Sequence, residues 1–245
     1  MFFALPVLIY GLLFFLGLEL AAYKENWIIF LVIILSIFSL WTAKKLGGRW
    51  IFAIIPFIFS ISALALLFLI DSIVQKQAFV ILSILIYYLG LLGIFRLGDY
   101  EKDQTARGMV AAMATAAVFF SYSTAYGFYL NFLIPLWALM IFFLIVTVFI
   151  SYQYFRLLSK DKKIVLGYSL ILGMTMAEAA WMINFWPFGY LTTGVVVFML
   201  YYVLWDLVQS YFLNSLSQKR VMANVVFFGI LIGLVLFTTQ WLPTV

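Results

Sequence analysis

Apolar runs of about 20 residues recur along the whole chain, at 2–22, 27–43, 50–70, 78–97, 109–129, 132–158, 164–185, 190–213 and 221–242, and the links between them are too short to fold alone. Such a pattern excludes an ordinary soluble core. At about 1.5 Å per residue, about 20 helical residues cross the roughly 30 Å of hydrocarbon in a bilayer, where backbone polar groups must be satisfied within the segment itself. The fold class read from the chain is all-α: a polytopic integral membrane bundle of nine transmembrane helices, a single transmembrane domain over residues 1–245 with no soluble domain. The 9% of charged residues, against about 25% in a soluble domain, agrees. Run 2–22 lacks a basic start and is longer than the apolar part of a signal peptide, so it is expected to stay as a span.

Charge in the links sets the orientation. With a cytoplasmic N-terminus, the links after spans two, four, six and eight carry 12 of the 14 Lys and Arg residues, and the opposite side carries only Lys24 and Lys76. Cytoplasmic links of membrane proteins are enriched in Lys and Arg in this way, so the C-terminus is expected outside. The net charge of +5 is then a sign of topology: no nucleic-acid partner is expected, whereas anionic lipid headgroups on the cytoplasmic side are. The nearly loop-free chain is expected in a bacterial inner membrane.

The chain has no Cys and no His, which removes disulfides, thiol nucleophiles, imidazole catalysis and the usual zinc and haem ligands. No cofactor and no metal site are expected. Asp99, Glu101 and Asp103, in the polar link after the fourth run, lack EF-hand spacing and read as solvated. No catalytic residue stands out, and the chain reads as a non-enzyme.

Two carboxylates interrupt the seventh and eighth runs, which the link Trp186-Pro187-Phe188-Gly189 joins. Glu178 lies about 10 Å from the nearer end of its run, where an ionisable group is costly and marks a candidate functional site. Helical spacing puts Ile171, Met174, Thr175, Trp181, Met182 and Phe185 on its face, and puts Thr192, Val195, Met199, Tyr202, Gln209 and Ser210 with Asp206. Both faces are expected to turn inward, because charged groups avoid lipid. The candidate ligand-binding set is Glu178, with Trp181 and Trp186 offering π faces to a cation, Thr192, and the hydroxyl-rich end of the fifth run represented by Ser123 and Tyr126. The competing reading makes Glu178 a hydrogen-bonded helix glue and gives the aromatics to an interfacial belt. Asp206 is expected to pair with Arg156 or Lys160. The two acids differ by more than about 10 Å in depth, too far for a catalytic carboxylate pair.

Packing signals are simpler. Pro56 is expected to kink the third span, Gly90 and Gly93 to form a thin patch, Gly108, Ala112 and Ala116 to admit a close helix, and the 27-residue sixth run to tilt or project. Gly229 and Gly233 form a Gly-x-x-x-Gly motif whose partner could be internal or foreign.

Three functions fit. The first is a small-molecule or ion/proton-linked transporter with an outer-half pocket around Glu178. The second is a non-catalytic assembly or scaffold subunit, with a membrane protein partner or a second copy of the chain. The third, weakest for want of reactive groups, is an intramembrane lipid-modifying enzyme.

Overall fold

The computed structural model describes residues 5–132, 134–186 and 188–238, and every regular element among them is helical. Nine α-helices follow one another: α1 (Leu5–Tyr23), α2 (Ile28–Gly47), α3 (Ile54–Phe68), α4 (Ile73–Asp99), α5 (Gln104–Asn131), α6 (Leu136–Arg156), α7 (Lys162–Ile183), α8 (Tyr190–Phe212) and α9 (Gln218–Thr238). Among the described residues all nine are long and apolar enough to cross a membrane, α3 together with its 3-10 lead-in Trp50–Ala53. The first residues of run 2–22, the end of run 221–242 and Pro187 of the link lie outside the described residues.

Caps explain where helices outrun their apolar stretches. α2 continues through Lys44 and Lys45, which favour the negative end of a helix, until Gly48 closes it at φ +70 with its amide donating to the Lys44 carbonyl at 2.9 Å. α7 starts at Lys162 because the Asp161 carboxylate accepts from the amides of Lys163 at 2.9 Å and Ile164 at 3.2 Å. Pro56 is the third residue of α3, just after the 3-10 lead-in Trp50–Ala53, so it sits where the chain passes from 3-10 to α geometry. One expectation is corrected. The sixth run yields a helix of only 21 residues, because the chain extends at Pro135 and turns after Arg156.

Contacts divide the chain into two compact units, Met1–Ser121 and Tyr122–Val245. In the first, α1 to α4 pack mutually around a stack of Phe14 on Tyr87, with centroids 3.9 Å apart. Ser60 donates to the Pro56 carbonyl at 2.8 Å, so its oxygen accepts from Ser39, and Ser39 in turn accepts from Tyr87 at 2.9 Å. Every buried hydroxyl in that relay is satisfied, as burial in an apolar core requires. Glu19 is not solitary at its helix end: it accepts from Gln77 of α4 at 3.2 Å. Gly93 lets α5 approach to backbone distance, since a Cβ there would lie 2.8 Å from the Ala106 carbonyl oxygen. The close face of α5 therefore runs through Ala106, Val110 and Met113, all buried, while Gly108 and Ala112 of the expected stripe are exposed.

The link from α4 to α5 is tied by charge. Asp103 accepts from the Ala106 amide at 3.1 Å and pairs with Arg96 at 2.6 Å, while Glu101 pairs with Arg49 at 2.7 Å. The Ala106 amide, aided by Arg96, holds the Asp103 carboxyl below its ordinary range.

In the second unit α6 and α7 pack along their length, α8 packs on α7, and α9 packs on α8. Tyr122 stacks on Phe143 at 4.1 Å and donates to Thr147 at 2.6 Å, which donates onward to the Phe143 carbonyl. Gly173 carries the α6–α7 approach: a Cβ there would meet the Leu144 carbonyl oxygen at 3.1 Å.

Candidate functional site

The small residues of α7 decide which way it faces. Gly173, Ala177 and Ala180 are buried, and so are Val165, Ser169, Leu172, Met176 and Ile183. The opposite face carries Ile171, Met174, Thr175, Glu178, Trp181, Met182 and Phe185, all exposed. This reverses the inward orientation expected for that stripe. The bulky side chains cannot enter the close α6–α7 contact that Gly173 permits, so the carboxylate turns outward with them.

Outward, Glu178 meets a groove. Thr175, Glu178, Trp181 and Met182 of α7, Leu200, Val203 and Leu204 of α8, and Val225, Phe228, Gly229 and Ile232 of α9 line a cleft of about 780 Å³. Among the described residues no Lys or Arg lines it. Among the described residues the Glu178 carboxylate has no hydrogen-bond or ion-pair partner. Trp181 is 50% exposed beside it, its ring edge-on to Phe185 at 5.6 Å. On α9, a Cβ at Gly229 or Gly233 would meet nothing within 4 Å, so the Gly-x-x-x-Gly face has no partner among the described residues.

Of the six candidate ligand residues, the groove unites only Glu178 and Trp181. Tyr126 is buried and donates to the Ala180 carbonyl at 2.8 Å, which ties the end of α5 to the packed face of α7. Ser123 is also buried, its hydroxyl has no partner among the described residues, and it presses on Gly194 of α8. Thr192 is half-buried and off the groove, while its neighbour Thr193 is buried. Trp186 sits edge-on to Phe188 at 5.6 Å in the link.

Asp206 behaves differently. It is 7% exposed and accepts a hydrogen bond from the Asn224 amide, joining α8 to α9. Arg156, one of its expected partners, donates instead to the carbonyls of Ser159 at 3.1 Å and Lys160 at 2.5 Å. Asn224 was missed by sequence reasoning, although an amide inside the ninth apolar run was itself a signal, since such groups seek partners on other helices.

Fold and site together define a protein whose described residues form nine long apolar helices and no other regular element but short 3-10 turns, with a carboxylate-bearing groove on its second unit. The chain belongs to DUF5656, a family of proteins of unknown function, whose model matches residues 40–238 and so takes in both Glu178 and Asp206. No curated protein and no solved structure matches the chain.

Proposed function

We propose that the chain is an integral membrane protein of nine spans, entering from the cytoplasmic side, and that it works as a non-catalytic subunit which seats a partner transmembrane helix in the α7–α8–α9 groove. The observation that carries this reading is the unpartnered Glu178 on an open, otherwise apolar groove. Facing lipid, a lone carboxylate is costly; a partner side chain with an ammonium, guanidinium or amide donor removes that cost. The open flank at Gly229 and Gly233 lets a second backbone come close, which is how helices gain dispersion contacts in lipid.

Photo-crosslinkers placed at Trp181 and Gly229 test this directly. The expected product is a crosslink to a membrane protein that weakens at least tenfold in Glu178→Gln, and an acidic substitution at the partner's matching base restores it to Glu178→Lys. Crosslinks to lipid alone, unchanged by Glu178→Gln, would sink the proposal. Orientation is checked separately by single cysteines in this Cys-free chain: labelling at position 73 from outside and at 160 from inside is expected.

The transporter reading keeps one specific support, the Trp181 indole beside the carboxylate in a cleft of drug-like volume. It calls for a hydrophobic cation as cargo. Native mass spectrometry separates the two: a small adduct lost in Glu178→Gln favours the carrier, a stoichiometric protein favours the subunit.

A further inference from the structure

In the first unit, α2 presents an apolar stripe that ends in two lysines with no carboxylate partner among the described residues. Phe30, Ile33, Ile34, Ile37 and Trp41 recur at helical spacing on one face and all are exposed, Ile37 by 61% and Trp41 by 51%. One turn further along the same face come Lys44 and Lys45. Each ammonium rests on an indole rather than on a carboxylate: Lys44 lies 4.0 Å from the centre of the Trp50 ring, Lys45 4.8 Å from that of Trp41. Trp41 is itself fixed by Tyr10 of α1, ring edge to face at 5.9 Å. The neighbouring arginines are spent, Arg49 on Glu101 and Arg96 on Asp103.

We infer that this face of α2 is a binding site for one anionic phospholipid. Its phosphate sits at Lys44 and Lys45 and one acyl chain lies along Trp41, Ile37, Ile34 and Phe30. The inference rests on the membrane reading above and is independent of the partner in the groove. Two features select this occupant. From Phe30 to Trp41 the helix rises about 16 Å, close to the half-thickness of a 30 Å hydrocarbon core and so to the length of one leaflet's chain. A cation held over an indole keeps its charge available to an anion, whereas one in a salt bridge does not, so Lys44 and Lys45 offer what Arg49 and Arg96 no longer can.

The test is native mass spectrometry of the whole protein released from nanodiscs that hold equal phosphatidylglycerol and phosphatidylcholine of the same chain length. The wild type is expected to retain one phosphatidylglycerol, and the Lys44→Gln/Lys45→Gln variant at least tenfold less. Lys162→Gln/Lys163→Gln, which removes two basic residues at the start of α7, should retain it like the wild type. Ile37→Gln, which leaves the charges, should lower retention severalfold. Equal retention of both lipids, or equal loss in both lysine variants, would overturn the site in favour of diffuse attraction. Displacement of the lipid by millimolar glycerol phosphate would overturn the acyl contact and leave a phosphate site only.

Discussion

Asp206 and Glu178 are two carboxylates in the same pair of consecutive apolar helices, and they have opposite surroundings. Asp206 is buried against α9 and accepts from Asn224. Glu178 stands exposed in a groove where, among the described residues, it has no partner and meets no base. The chemistry of the side chains is nearly the same, so the difference comes from the helices that carry them. α8 buries Val196, Val197, Tyr201, Trp205 and Asp206 as one face, whereas α7 buries Gly173, Ala177 and Ala180 together with Leu172, Met176 and Ile183 and leaves Glu178, Trp181, Met182 and Phe185 outside. A carboxylate satisfied inside the chain supports the fold; one left open on an apolar surface is available to something else.

Within the second unit the largest effect is expected at its tightest glycine contact. A Cβ at Gly194 would lie 2.9 Å from the Ser123 backbone and closer still to its hydroxyl, so Gly194→Ala forces helices apart and should cost about 3 kcal/mol of stability. Gly229→Ala meets open space and should change stability by less than about 1 kcal/mol. Thermal unfolding in detergent reads both; equal losses would erase the distinction between the packed region and the open groove. Asp206→Ala comes next, at about 2 kcal/mol, because it strips the Asn224 amide of its acceptor in an apolar setting. It should also raise the labelling rate of single cysteines on α9, and an α9 as protected as before would mean the Asp206–Asn224 bond does not hold it.

Those contrasts also mark what could be read before the structure. The helices were legible because apolar length alone decides them: all nine runs correspond to helices, displaced at their ends by polar caps such as Asp161 and by Lys44 and Lys45, which an apolar count leaves out. Facing was not legible in the same way. In a chain so apolar, both sides of a helix are hydrophobic and no amphipathic stripe points to the interior. The rule that charge turns inward placed Asp206 correctly and Glu178 wrongly. The better guide on α7 was Gly173, Ala177 and Ala180, at spacings of four and three, because close helix packing in lipid selects small residues more strongly than it selects polar ones. The hydroxyls of Ser123 and Tyr126 were not legible as packing groups for the same reason: Tyr126 donates to the Ala180 carbonyl and Ser123 lies against Gly194.

Glu178→Gln sharpens the comparison at the side of function. The amide matches the carboxylate in shape and no internal bond is lost, so stability should move by less than about 0.5 kcal/mol while partner crosslinking at Trp181 falls at least tenfold. A drop in stability as large as that of Asp206→Ala would show that Glu178 is structural after all and would abolish the division between the two acids.

The smallest effect belongs to a third carboxylate that lies outside the apolar helices and calibrates the other two. Asp103 is held below the ordinary carboxyl range chiefly by the Ala106 amide, with Arg96 adding attraction. Its folded value is the lower one, so its contribution is complete above the unfolded value of about 3.9 and is lost as the pH falls through the folded value. The first unit should therefore loosen at acid pH below about 4, where the α4–α5 link gives up its cap, and Asp103→Asn should flatten that acid limb while leaving stability at neutral pH only slightly lower. Following a fluorophore on a single cysteine at position 102 across pH 2 to 7 reads the link alone. An acid limb that is unchanged in Asp103→Asn would show that the Asp103 cap does not carry the acid sensitivity of the link.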